Sequence, residues 1–434
     1  QNYGGQHTIG RLLISVPVAD GPLHLPLPGE IKELLNIATE RRTEEQRREL
    51  ADHYSRVSPR LRPLRDRVDT LHREIEAMTV ARAMIMRSLP GGRVTRVFDR
   101  GSFLNPGEAV VAAVPAALSA SAGEAPSADR LGLARWIVDP KNPLTARVHV
   151  NRLWSRLFGK GLVETEEDFG TQGDPPSHAE LLDWLATEFV RNGWSQKALL
   201  RTIVTSAAYR QSSHITHKGL EQDPRNRLLS RAPRFRVDAE TIRDISLHAG
   251  GLLASKLGGP SVFPPQPPGV WTMIYSNDAW VESNDEDRFR RGLYTFARRT
   301  APYPMFAGFD APSHEIVCTR RARTNTPLQA LSTLNDTPFV EASRALATRM
   351  MDGADARPDS IAALGFRLCT GRKPSGSETA RLVLLFHQQV SAFTEDRPAA
   401  IELTKSDHPR TIELAAWQVV ANVLLNLDET LTKG

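Results

Sequence analysis

The stretch from Leu144 to Gly170, LTARVHVNRLWSRLFGKGLVETEEDFG, constrains the fold more than any other part of the chain. It places Arg147, Arg152, Arg156, His149 and Trp154, then Glu164, Glu166, Glu167 and Asp168, in an otherwise apolar segment. A surface helix gathers its charges on one face. Here they interrupt the apolar residues at mixed spacing. An unpaired charge in a protein interior is costly, so the pattern predicts buried or half-buried ion pairs around a cleft.

The chain has 434 residues, too many for one ordinary core, which predicts two or three domains. Its 40% hydrophobic and 24% charged residues describe a globular protein. The net charge is +5, mostly arginine scattered among acids. No Lys/Arg stripe with interleaved aromatics appears, so nucleic acid is not an expected partner. The two cysteines, Cys318 and Cys369, form neither a haem-attachment motif nor a zinc-type pair. Two separate buried thiols are preferred over one disulfide. No signal peptide and no membrane-spanning run is read. A start at Gln1 suggests a mature form or a piece of a longer chain.

The expected architecture is mainly α: a multi-helix domain with a small β element and an N-terminal strand left from a preceding β-rich domain. Residues 1–28 read as the end of that domain, with Ile9 to Val16 as its last strand. Residues 29–90 read as a charged helical hairpin. Thr43 caps its second helix, and Leu64, Val68, Leu71 and Ile75 step at helical spacing after Pro63. Residues 91–130 hold the small β element and an Ala/Ser-rich linker, and 131–434 form the mainly helical domain. Within it, Ser177 with Glu180 suggests a capping box, while Ser195 and Asp238 suggest caps. Asn192-Gly193 and Gly250-Gly251 suggest helix ends, and Leu293, Tyr294 and Phe296 a short strand. Thr326-Pro327 and Thr337-Pro338 start two further helices, and Gly371 with Pro374 breaks the helical tail.

No metal site is expected. His214 and His217 lack a completing ligand, and His149 and His178 lie elsewhere. The acids from Asn284 to Asp287 lack the alternation and closing Glu of an EF-hand, which leaves calcium as a candidate with little behind it and no cofactor otherwise expected. Cys318 lies before Thr319, Arg320 and Arg321, but a buried structural thiol is the preferred reading. Asp310 in GFDAP and Asp168 in EDFG are the candidate catalytic acids, a carboxylate pair being able to work on a glycosidic bond. Trp154, Trp271, Tyr275 and Trp280 could stack on sugars. The competing reading, favoured over catalysis, is that each aspartate holds an arginine in an internal pair.

Several segments together resemble one family: PKNPLTARVHVNRLWSRLFGKGLVETEEDFGTQGDPPSHAELLDWLA, DPRNRLLSRAPRFRVDAETIRD, RRGLYTFARRTAPYPMFAGFDAP and RRARTNTPLQALSTLNDTPFVEASRALA. The family is the C-terminal domain of unknown function of large planctomycete-type surface proteins that often carry cytochrome-c-like domains. The resemblance implies a periplasmic or cell-surface location and neighbouring domains, and carries no established catalytic residues. On the matching segments the ligand-binding candidates are Arg147, Asn151, Arg152, Arg243, Asp244, Arg291, Arg320, Arg321 and Asn325, beside Trp154, Trp271 and Trp280. The expected function is binding or processing of a carbohydrate polymer, by glycosidic hydrolysis if the protein is an enzyme. The alternative is a non-catalytic scaffold docking a cytochrome-type partner.

Overall fold

The computed structural model describes residues 27–78, 83–87, 92–119, 129–271 and 279–434. The strand expected at Ile9 to Val16, most of the Ala/Ser-rich linker and Tyr275 lie outside them. The described residues are mainly α-helical, with two small two-stranded sheets. The chain divides into two compact units, 1–96 and 97–434.

The first unit carries the helices Gly29–Asn36, Glu44–Val57 and Arg62–Ala77. The capping box at Thr43 closes with Gln46: the Thr43 hydroxyl accepts from the Gln46 amide, and the Gln46 side chain accepts from the Thr43 amide. The strands Thr95–Phe98 and Pro106–Val110 form the first sheet, with every residue exposed.

The second unit is organised around Thr411–Leu425, TIELAAWQVVANVLL, which is apolar on nearly every face and therefore central. Trp417, Val420, Ala421 and Leu424 are wholly buried against Leu346, Ala347 and Met350 of Thr337–Gly353, Ile361 and Phe366 of Pro358–Thr370, and Phe386 of Gly376–Glu395. Small residues set the helix spacing. A Cβ on Gly365 would lie 2.5 Å from the Met350 sulfur, and one on Gly250 2.9 Å from the Ala342 carbonyl.

A second core joins Thr145–Phe158, Ala179–Arg191 and Gln196–Val204 through Val150, Trp154, Phe158, Leu185, Phe189 and Ile203. The second sheet connects this part to the chain end, pairing Phe235 with Lys433 and Arg236 with Thr432, antiparallel. Lys433 there donates to the Leu157 carbonyl (2.5 Å) at the C-terminal end of Thr145–Phe158, where a cation complements the helix dipole.

Local expectations hold where the signal is local. Ser195 caps its helix through Ala198, Thr326 caps through Gln329, and Gly251 and Gly371 end their helices in the left-handed conformation. Four readings are corrected. Ser177 does not cap: His178 precedes the helix, and the Ser177 amide is taken by the Leu162 carbonyl (2.8 Å). Asp238 occupies the cap position without capping, because arginines claim its carboxylate. Gly292–Tyr294 is a 3-10 turn, and in place of a full strand there is a single parallel bridge of Thr295 with Val262. Cys318 is exposed rather than buried; Cys369 is a separate free thiol whose pKa burial pushes up to about 12.

Candidate functional site

The helix Thr145–Phe158 stops at Gly159, whose positive φ lets the chain reverse into Lys160, Gly161 and Leu162. A side chain at Gly161 would meet the Val163 carbonyl at 2.4 Å and the Asn151 amide nitrogen at 2.6 Å. The turn is locked from below. Asn151, wholly buried, donates to the Val163 carbonyl (3.0 Å) and accepts from the Val163 amide (2.9 Å). Asn151 is thus a structural clamp.

Two adjoining cavities open over this turn. The larger, about 360 Å³, has Trp154, Phe158, Leu162 and Phe235 among its lining. Its charged lining is Lys160, Arg225, Arg227, Arg231, Arg234 and Arg323, against Glu164 alone. The smaller, about 200 Å³, shares Lys160, Glu164 and Arg323 and adds Arg156, Arg320, Arg321 and Glu166. Trp154 stacks on Phe158 (4.0 Å between rings, 8°) and is buried, so it serves as floor rather than as a free platform.

The cations differ in how fully they are committed. Arg321 binds both oxygens of Glu240 (2.6 and 3.1 Å). Arg323 donates to the Gly159 carbonyl (3.0 Å), lies over Phe235, and sits 3.6 Å from Asp238, close enough for an ion pair but too far for a hydrogen bond. Arg231 donates to the carbonyls of Asp223 and Pro224 (3.0 and 3.1 Å). These three build the walls. By contrast, Lys160 and Arg227 are exposed and share the single carboxylate of Glu164, at 3.7 and 3.3 Å. Arg225 is exposed and has no hydrogen-bond or ion-pair partner among the described residues. The rim is therefore in positive excess, suited to an anionic ligand.

Glu166 differs from the other acids. It is only 6% exposed, yet lines the smaller cavity. Burial pushes its pKa up, opposed by a hydrogen bond with Ser155 and by the charges of Arg156, Arg320 and Arg152. A buried carboxyl beside guanidinium groups, with its pKa raised by burial, makes Glu166 a candidate for proton transfer among the described residues of the cleft.

The other sequence-derived candidates are placed as follows. Arg147 pairs with Asp183 (2.6 Å) and donates to the Pro143 carbonyl (2.5 Å). Arg152 is exposed, near Glu166 and His149, and the His149 ring stacks on Phe189. Arg243, wholly buried, donates to the carbonyls of Arg290 and Arg288 (2.6 and 2.8 Å). Asp244 accepts from the Gly292 amide (2.6 Å) and from Arg291 (3.1 Å). Asn325 accepts from Arg236 (3.1 Å), and Arg320 faces Glu167 (3.7 Å) and the Glu164 carbonyl (3.3 Å).

Asp168 accepts from the Gly170 amide (2.7 Å), closing a tight turn. Asp310 accepts from the Thr324 amide and hydroxyl (2.7 Å each) and from Gln329 (3.4 Å). Trp271 and Trp280 donate to the carbonyls of Ala301 and Pro264 and pack edge-to-face on each other, Trp280 also stacking on Tyr303. Of the candidates, Trp154, Arg320 and Arg321 come to the two cavities, while Arg147, Asp168 and Arg291 line neither. Asp310 touches only a tight gap of about 10 Å³ below Arg323. Among the described residues, no three His, Cys, Asp or Glu side chains gather to hold a metal ion.

The residues that sequence reasoning passed over are Lys160, Arg225, Arg227, Arg234 and Arg323, while Glu166 was named in the acidic run around the expected cleft but not as a site residue. A signal existed in the dense arginines of PRNRLLSRAPRFR, which recur every two to four residues from Arg225 to Arg236.

The chain belongs to the PSD1 family, described as a protein of unknown function (DUF1553), whose family model matches residues 129–386. No curated protein and no solved structure matches it. The matched span contains both cavities.

Proposed function

We propose that this domain binds an acidic carbohydrate polymer in the cleft over the Gly159–Leu162 turn, as an extracytoplasmic module of a multidomain surface protein. One observation carries the reading: Lys160, Arg225 and Arg227 stand exposed at one rim above an apolar floor, where the single carboxylate Glu164 faces Lys160 and Arg227 and none faces Arg225 among the described residues. Uronate carboxylates or sulfate esters meet such cations in charge-assisted hydrogen bonds, and the apolar floor accepts a sugar face. If the polymer is also cleaved, by hydrolysis of a glycosidic bond, Glu166 is better placed than Asp310 or Asp168 to supply the proton. One oxygen of Asp168 accepts from the Gly170 amide within a turn, and one oxygen of Asp310 accepts from Thr324 and Gln329.

The test is retention on immobilised polygalacturonate and on dextran sulfate, with neutral dextran and duplex DNA as controls. The expected result is salt-sensitive retention on an acidic glycan that is lost in a K160A/R225A/R227A variant. Equal retention on neutral dextran, or no response to the triple variant, removes the reading. A second reading, a non-catalytic scaffold docking a cytochrome-type partner, is favoured by the commitment of Arg147, Arg291 and Arg321 to acids of the same chain. It predicts no glycan retention and specific capture of a purified haem protein.

A further inference from the structure

The helix Arg62–Ala77 is amphipathic, yet none of its residues is buried. Leu64, Val68, Leu71 and Ile75 are 64%, 49%, 39% and 60% exposed, and Met78 beyond them 65%. Their spacing is four, three, four and three, the alternation of a coiled-coil seam rather than of a helix lying on a globular core. Among the described residues, this helix is held by the turn Pro59–Leu61 and by Arg65, which donates to the Ser55 and Ser58 carbonyls (2.8 and 2.9 Å), and these contacts leave the apolar seam exposed. A helix of this length is marginal in water without a packed apolar face. The seam therefore needs a cover.

We propose that the cover is the same helix of a second copy of this chain, paired antiparallel. The flanking charges make the choice. In a parallel, in-register pair, Arg67 faces His72 of the other copy and Arg60 faces Arg65, with no complementary contact. Reversing one helix about the midpoint between Asp69 and Thr70 sets Leu64 against Ile75 and Val68 against Leu71, twice each by symmetry. It also brings Arg67 of each copy beside Glu74 of the other. Within one chain these two side chains are exposed and only 3.9 Å apart, a loose pairing free to be exchanged. Covering the five apolar side chains removes on the order of 1,000 Å² in total from the two copies, near the lower limit for a specific interface. A self-complementary patch of this kind closes as a two-fold dimer and does not propagate.

The experiment is light scattering on the full chain after size exclusion at about 100 µM, where mass action favours assembly. The expected wild type is a dimer, and Leu71→Glu is a monomer. Arg67→Glu weakens the dimer about tenfold by setting like charges against each other at two places, and the swapped R67E/E74R variant restores it. The exposed R67E change keeps the helix, which circular dichroism checks, so a loss of assembly there is not a loss of folding. A monomeric wild type, a dimer indifferent to L71E, or a swapped variant no tighter than R67E each overturns the proposal.

Discussion

Asn151 and Val163 hold each other through a two-way hydrogen bond, amide to carbonyl at 3.0 Å and back at 2.9 Å, with Asn151 wholly out of solvent. This pair joins the middle of the helix Thr145–Phe158 to the far side of the turn that floors the cleft. The cleft's shape therefore depends on a contact that need not touch ligand.

Asn151→Ala is expected to leave the Val163 amide and carbonyl buried without partners and to lower stability by about 2–4 kcal/mol. Gly161→Ala should behave similarly, because its Cβ would strike the same carbonyl at 2.4 Å. Urea unfolding measures both. A change below about 0.5 kcal/mol would mean that the turn is held elsewhere.

Asp310 is read as a structural acceptor. Its backbone sits at a positive φ of 62°, and one oxygen takes three donors. Asp310→Ala should cost about 2–3 kcal/mol and leave glycan retention by the folded protein unchanged. Intact stability with abolished retention would instead return Asp310 to the ligand site.

Glu166 has a pKa raised by burial, so the folded state holds its proton more tightly than the unfolded chain does. Its linkage favours folding at low pH and is lost as pH rises through the raised folded value. Glu166→Gln should therefore gain stability relative to wild type as pH increases from about 4 towards neutrality. Thermal unfolding across that range reads the difference. A difference that shrinks with rising pH contradicts the assignment.

Trp417 is wholly buried and stacks on Phe386 at 4.2 Å, but its indole nitrogen has no hydrogen-bond partner among the described residues. Trp417→Ala should cost about 3–5 kcal/mol through the cavity left behind. Trp417→Phe should cost clearly less, since it also removes the unsatisfied N–H. Paired denaturation curves distinguish the two, and equal losses would contradict the packing argument.

Much of the helical architecture was readable in the sequence because its signals act between near neighbours. Thr43 with Gln46, Ser195 with Ala198 and the left-handed Gly251 are decided within a few residues. The run around Trp417 was read only as part of a helical tail, and its central place is seen in the packing of Trp417, Val420 and Leu424. The charged residues were a different matter. Their number near Leu144 to Gly170 implied ion pairs, but composition does not say which acid meets which arginine.

Only the tertiary structure decided that. Asp238 draws Arg156 from one segment and Arg321 and Arg323 from another and so gives up its capping role, and Arg243 is held by carbonyls rather than by an acid. Cleft formation brought Lys160 and the arginines of 225–234 to one rim, and burial set Glu166 apart from Glu164 two residues away. Local backbone preference is encoded residue by residue, whereas charge pairing and desolvation depend on distances between parts of the chain that meet only once the cores have packed.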